Sequence, residues 1–309
     1  PESLVKLQYT PPQDTASPGQ LAPVAWFTPF HDVDRLKTVE DDFTDYDLGS
    51  GGAVPLPGTS LVVGAGKDGV LYVLDQDTAK LGQDSAKTRL KQAPIFFTYF
   101  PGFGIDASDV RNLDRFYDGK THHLHGTPVF WKNSSGVNTL FVWGENESLR
   151  AWTIDRDGQT LFVAKGQEVA SAGAAGKGGM PGGMLALSSN AAEAGSGIVW
   201  CLAPRTGDAN RFVVEGILRA YDAEKLDPIP NTDGTARLKL LWDSTHIPGN
   251  IFQFSKFCPP VVADGRIIVP TYEGKVDIYG LRPIPSGRRT PTNLTRASGH
   301  RSRLRRPPT

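Results

Sequence analysis

Residues 61 to 75 read LVVGAGKDGVLYVLD, and the parsing of that stretch decides the fold. Gly64, Gly66 and Gly69 satisfy the G-x-G-x-x-G spacing of dinucleotide-binding loops. That fingerprint works only where a helix follows, so that its N-terminus faces the pyrophosphate. Here VLYVLD follows, which is a strand, so the segment is predicted to be a β-hairpin turned at its glycines.

Working outward, the second half of this hairpin recurs along the chain. ESLVKL (2–7), DGVLYVLD (68–75), ESLRAWTID (147–155), EGILRAYD (215–222) and EGKVDIYG (273–280) share a polar or Gly turn followed by a short alternating strand. Measured at Leu4, Leu71, Leu149, Leu218 and Val276, the spacings are 67, 78, 69 and 58 residues, a mean period of 68. The later four copies are each preceded by an apolar run across a turn. Upstream again come GSGGAVPL (49–56), HGTPVFW (125–131), MPGGMLALS (180–188) and CPPVVA (258–263). A further strand candidate follows several copies: PVAWFTPF (23–30), APIFFTYF (93–100), TLFVAKG (160–166) and LKLLWDS (238–244). Alternation over 4 to 8 residues, bounded by Gly, Pro, Asn and Asp, is how half-buried antiparallel strands read.

The expected fold class is therefore all-β, a β-propeller of four-stranded antiparallel blades with about four blade periods visible, because radial packing of small sheets leaves only short edges exposed. Residues 1–281 form the propeller. The chain starts and ends at a third strand, so either those ends complete one blade or further blades lie upstream; the second is expected, since residue 1 is Pro. Residues 282–309 hold eight Arg, five Pro and no acidic residue, and are predicted to be a disordered basic tail, with a polyanion-binding arm as the competing reading.

Composition narrows the partners. Lys+Arg 33 balances Asp+Glu 33, so no nucleic-acid partner is expected, and no apolar run reaches the ~18 residues of a membrane helix. Cys201 and Cys258, the two cysteines, lack the spacing of a zinc or redox motif, and the sequence leaves open whether they pair.

The densest group of ligand-type residues is His122, His123 and His125 in GKTHHLHGTP. On an extended segment, residues i and i+2 share a face, so His123 and His125 project together toward the propeller axis, with Asp118 on the adjoining loop to orient an imidazole. Such a pair suits a metal such as Zn, Cu, Ni or Fe; the competing reading is rings bonded to carbonyls where a loop enters the inner strand. Lys256, before the last inner strand, is placed at the same axial funnel. Opposed to imidazoles it suits an anionic or carbonyl-bearing ligand, whereas a salt bridge to Asp243 or Asp264 would make it structural. The leading residues of the other two inner strands, Gly51 and Gly182, are expected to leave that side of the funnel open. Glu40, Asp41, Asp42, Asp45 and Asp47 are read as a solvated acidic turn or a site for a hard cation. The tryptophans at 131, 143, 152, 200 and 242 are expected to pack between blades.

The strings DLGSGGAVPLPG with LVVGAGKDGVLYVLD, HGTPVFW with FVWGENESLRAW, GILRAYDAE with LLWDS, and KFCPPVVADGRIIVPTYEGKVDIYGL resemble the pyrroloquinoline-quinone-like β-propeller repeat family over residues 1–281. The resemblance implies a C-terminal part of a longer bacterial chain, periplasmic or secreted. Quinoprotein dehydrogenases of that superfamily hold the quinone (PQQ) between a Trp floor and a ring of two adjacent cysteines, beside a Ca²⁺ ligated by Glu, Asn and Asp. Here the cysteines lie 57 residues apart, and the docking pattern survives only at Ala220 and Asp222, with Trp242 displaced. The function expected is a module binding a small molecule or a protein through its interblade loops, without catalysis. The alternative is a quinoprotein-type oxidoreductase, a PQQ- and Ca²⁺-dependent alcohol or sugar dehydrogenase.

Overall fold

The computed structural model describes residues 3–13, 18–27, 47–67, 69–75, 91–94, 123–155, 160–169, 180–191, 193–281 and 294–296. Among them the protein is built of strands, with only 3-10 turns at Leu48–Ser50 and Ser244–His246 and no α-helix. No helix of the described residues is long and apolar enough to cross a membrane.

A first pair, β1 (Leu4–Thr10) and β2 (Gln20–Phe27), is antiparallel and forms a sheet of its own. The hairpin read from residues 61 to 75 follows. Strands β4 (Leu61–Ala65) and β5 (Val70–Asp75) pair with Gly64 opposite Tyr72, flanked by β3 (Ala53–Pro55) and β6 (Lys91–Pro94) in the order β3-β4-β5-β6. Next come β7 (Val129–Lys132), β8 (Asn138–Val142), β9 (Ser148–Ile154) and β10 (Thr160–Val169). They are followed by β11 (Met184–Ser188), β12 (Ile198–Pro204), β13 (Gly216–Asp227) and β14 (Arg237–Asp243). Strands β15 (Val261–Ala263), β16 (Arg266–Pro270), β17 (Val276–Leu281) and β18 (Leu294–Arg296) complete the chain. Leu71, Leu149, Leu218 and Val276 all fall in the third strand of an antiparallel run of four.

Two features differ from the sequence expectation. The second and third runs are not separate sheets. A parallel bridge between Lys165 of β10 and Arg237 of β14 fuses them into one eight-stranded sheet, ordered β11-β12-β13-β14-β10-β9-β8-β7. The ten-residue, bulged β10 and the twelve-residue β13 carry their outer ends far enough for that contact. Second, the last run has a fourth strand, because Leu294–Arg296 pairs with β17; the rest of the 282–309 tail lies outside the described residues. Strand β1 pairs with β2, as a third strand with the fourth that follows it, and the two edges of β17 are taken by β16 and β18.

Alternation along the strands sends successive side chains to opposite faces, and the faces stack. Val70, Tyr72 and Leu74 of β5 pack with Phe27 of β2, the rings of Phe27 and Tyr72 lying 5.1 Å apart. On its other face Leu71 and Val73 meet Leu140, Val142 and Trp152. Phe141 and Leu149 point away from that cluster to Val199, Cys201 and Tyr221, while Trp200 and Leu202 face Ile267, Val269 and Tyr279. The five tryptophans expected between sheets are all buried within these clusters. Removing such a ring costs about 3–5 kcal/mol, so they dominate the cohesion between sheets.

Candidate functional site

The connections between runs follow one rule, and it builds the site. Each turn between a second and third strand bonds the segment that leads into the next run. Leu124 N–H donates to Gly66 O at 3.1 Å, Gly183 N–H to Trp143 O at 3.2 Å, and Phe254 N–H to Val214 O at 2.8 Å. In the lead to β7, Leu124 is fully buried in the core between the first two runs, and its carbonyl accepts from Ser50 Oγ at 2.6 Å. With Leu124 pointing into the core, extended backbone turns His123 and His125 to the opposite side together. Their rings lie 5.8 Å apart, edge to face.

Opposite them stands Glu145, in the turn between β8 and β9, a residue the sequence reading did not single out. Its N–H donates to His123 O at 2.9 Å, which pins the turn to the lead. Trp143 Nε1 donates to Glu147 O at 2.6 Å, and Asn146 at φ 55° reverses the chain. The carboxylate then straddles the two rings. Oε1 lies 2.8 Å from His125 Nε2, and Oε2 lies 3.7 Å from His123 Nδ1. The side chains of His125 and Glu145 are 2% and 5% exposed, and that of His123 is 21% exposed. One donor atom from each of the three residues lies within 4.8 Å of the others.

Of the other residues assigned to the funnel, Lys256 is described: its Nζ donates to Asn210 O at 3.1 Å and sits over the Phe257 ring at 5.8 Å. The side chain that reaches the histidines from the last run is its neighbour Phe257, whose ring centroid is 5.5 Å from that of His125. Phe257 holds φ at 61°, which directs it there instead of Lys256. Asp118 and His122 lie outside the described residues, as do Glu40 to Asp45. Asp47 of the acidic run pairs with Lys67 at 2.6 Å. Gly51 and Gly182 each lie against neighbouring backbone. A Cβ at Gly51 would stand 2.2 Å from Ala65 O, and one at Gly182 would stand 2.7 Å from Trp143 O. Glycine is there because the preceding turn's backbone occupies the space.

The residues do not fit a quinone with Ca²⁺. Cys201 is buried in β12, with burial pushing its thiol pKa up, and Cys258 precedes β15; both are free. They form no vicinal ring. The clustered donors are two imidazoles and one carboxylate, whereas Ca²⁺ takes 6 to 8 oxygens. Glu145 could have been suspected from sequence only by aligning the turns of successive runs, which places it where Lys67 stands in the first hairpin. Comparison with protein-family models, with curated proteins and with solved structures found no match.

Proposed function

We infer that the protein is a β-propeller of four-stranded blades, of the pyrroloquinoline-quinone-like repeat type, that works as a binding module without catalysis. The observation that carries this reading is the contact of Phe257 with His125. These residues lead into the fourth and second runs, which are not neighbours in chain order. Leads of non-adjacent sheets meet when the sheets are arranged about a common axis and their first strands face it. The repeated bond from each turn to the next lead supports the same arrangement, since it advances every run by a similar step.

In this reading the inner leads and the turns beside them form the contact surface for a small molecule or a protein. The reading is of binding alone because no nucleophile, base and orienter stand together at the leads among the described residues, and fold alone assigns no activity. In keeping with that repeat type, the compartment proposed is outside the cytoplasm, periplasmic or secreted, in a bacterium; cell fractionation tests it.

The functional test is a titration of the purified protein with pyrroloquinoline quinone and Ca²⁺, followed by a dye-linked dehydrogenase assay on alcohols and sugars. The expected outcome is neither stoichiometric uptake in the absorbance spectrum nor turnover. Uptake with turnover would replace the binding module by a quinoprotein oxidoreductase.

A further inference from the structure

We propose that His123, His125 and Glu145 form a binding centre for a divalent first-row transition metal, with Zn²⁺ as its ion. The centre is built from two pieces of backbone that hold each other. The β8–β9 turn is fixed to the lead of β7 by the bond from Glu145 N–H to His123 O, and is backed on its other side by Gly182 and Gly183. Each donor therefore stands on a supported segment, as a metal site requires.

The distances fit an ion. Zn²⁺ binds imidazole nitrogen and carboxylate oxygen at about 2.0–2.2 Å, which sets tetrahedral neighbours about 3.4 Å apart. The two histidine–carboxylate separations, 2.8 Å and 3.7 Å, bracket that value, and all three donors lie within 4.8 Å of one another. A small opening of the His125–Glu145 contact admits the metal between the three donors. Donor chemistry selects the class: imidazole suits Zn, Cu, Ni and Fe, while Ca²⁺ and Mg²⁺ require oxygen donors. Three protein donors leave a fourth position, and His123, the most exposed of the three, marks the side from which solvent or a ligand reaches it.

The proposal does not depend on the ring arrangement, because all three donors come from two adjacent segments. Loss of one reading leaves the other standing.

The test uses the whole chain with any affinity tag removed. The protein is stripped with a chelator and titrated with Co²⁺, followed by visible absorption, and Zn²⁺ is then added as competitor. One equivalent should saturate the signal and Zn²⁺ should abolish it. Altering partners that merely orient a ligand weakens metal binding about 10–100-fold, so His125→Ala and Glu145→Gln should each weaken it by about a hundredfold or more. His246→Ala serves as control. That imidazole is 63% exposed beside Asp243 on the surface, and its removal should leave the titration unchanged. A cooperative thermal melt confirms that each variant is folded; should His125→Ala fail to fold, the more exposed His123→Ala takes its place. Absence of saturation at one equivalent, or a signal that survives the substitutions at His125 or His123 and at Glu145, overturns the proposal. So does one lost with His246.

Discussion

Gly182 and Gly234 share almost the same backbone, with φ of 81° and 80°, yet their surroundings differ completely. A Cβ at Gly234 meets nothing within 4 Å, whereas one at Gly182 would press on Trp143 O and the Gly144 carbonyl carbon. The left-handed conformation costs an L-residue about 1–2 kcal/mol at either site. Only Gly182 adds overpacking against backbone that cannot move without breaking the Gly183–Trp143 bond. Gly182→Ala should therefore lose roughly 1–3 kcal/mol more than Gly234→Ala, read from urea midpoints at equal slope. Equal losses would mean that the lead to β11 does not press on the β8–β9 turn. At this scale His123 and His125 were legible, because the i, i+2 rule is local to the chain. Glu145 was not, since 20 residues separate it from His125 and only pairing of the turn with the lead joins them.

The seam between β10 and β14 turns two four-stranded runs into one sheet, and it is held by the loop between β13 and β14. Lys165 N–H donates to Ala236 O at 3.1 Å, Asn231 Nδ2 donates to Lys165 O at 3.2 Å, and Lys165 Nζ pairs with Asp233. The Lys165 ammonium first, then the Thr235 hydroxyl and amide, hold the Asp233 carboxyl well below the usual carboxylate range. A depressed carboxyl contributes stability that is present above its unfolded value, about 3.9, and is lost as pH falls through the folded one. Asp233→Asn keeps the acceptor for Thr235 and removes the charge. At neutral pH it should destabilise by less than about 1 kcal/mol, because Asp233 is half exposed and the pair is screened by solvent. The gap between variant and wild type should close as pH drops below about 4 in chemical-denaturation series. A gap independent of pH would remove the ion pair from the seam. The strands themselves were legible from alternation, but the seam was not: it is one parallel bridge between residues 72 positions apart, with no local pattern to announce it.

Over the whole molecule, the meeting of the second and fourth runs is the contact that most constrains the arrangement of sheets. Replacing Phe257 by Leu removes the ring current at His125 and leaves bulk in place. The imidazole proton resonances of His125 should shift in that variant, while those of exposed His246 stay. Unmoved His125 resonances would separate the two leads and take the support from an axial arrangement. The sequence by itself determined the strand content, the hairpin at residues 61 to 75 and the third-strand positions of Leu71, Leu149, Leu218 and Val276. Those follow from side-chain periodicity and turn residues, which act over a few positions. Only tertiary structure decided that Phe257 meets His125, that Glu145 completes the histidine cluster, that neighbouring backbone stands against Gly51 and Gly182, and that two runs fuse through β10 and β14. Each of these depends on contact between segments distant along the chain, where the chain's packing, not its local pattern, sets which side chains share a space.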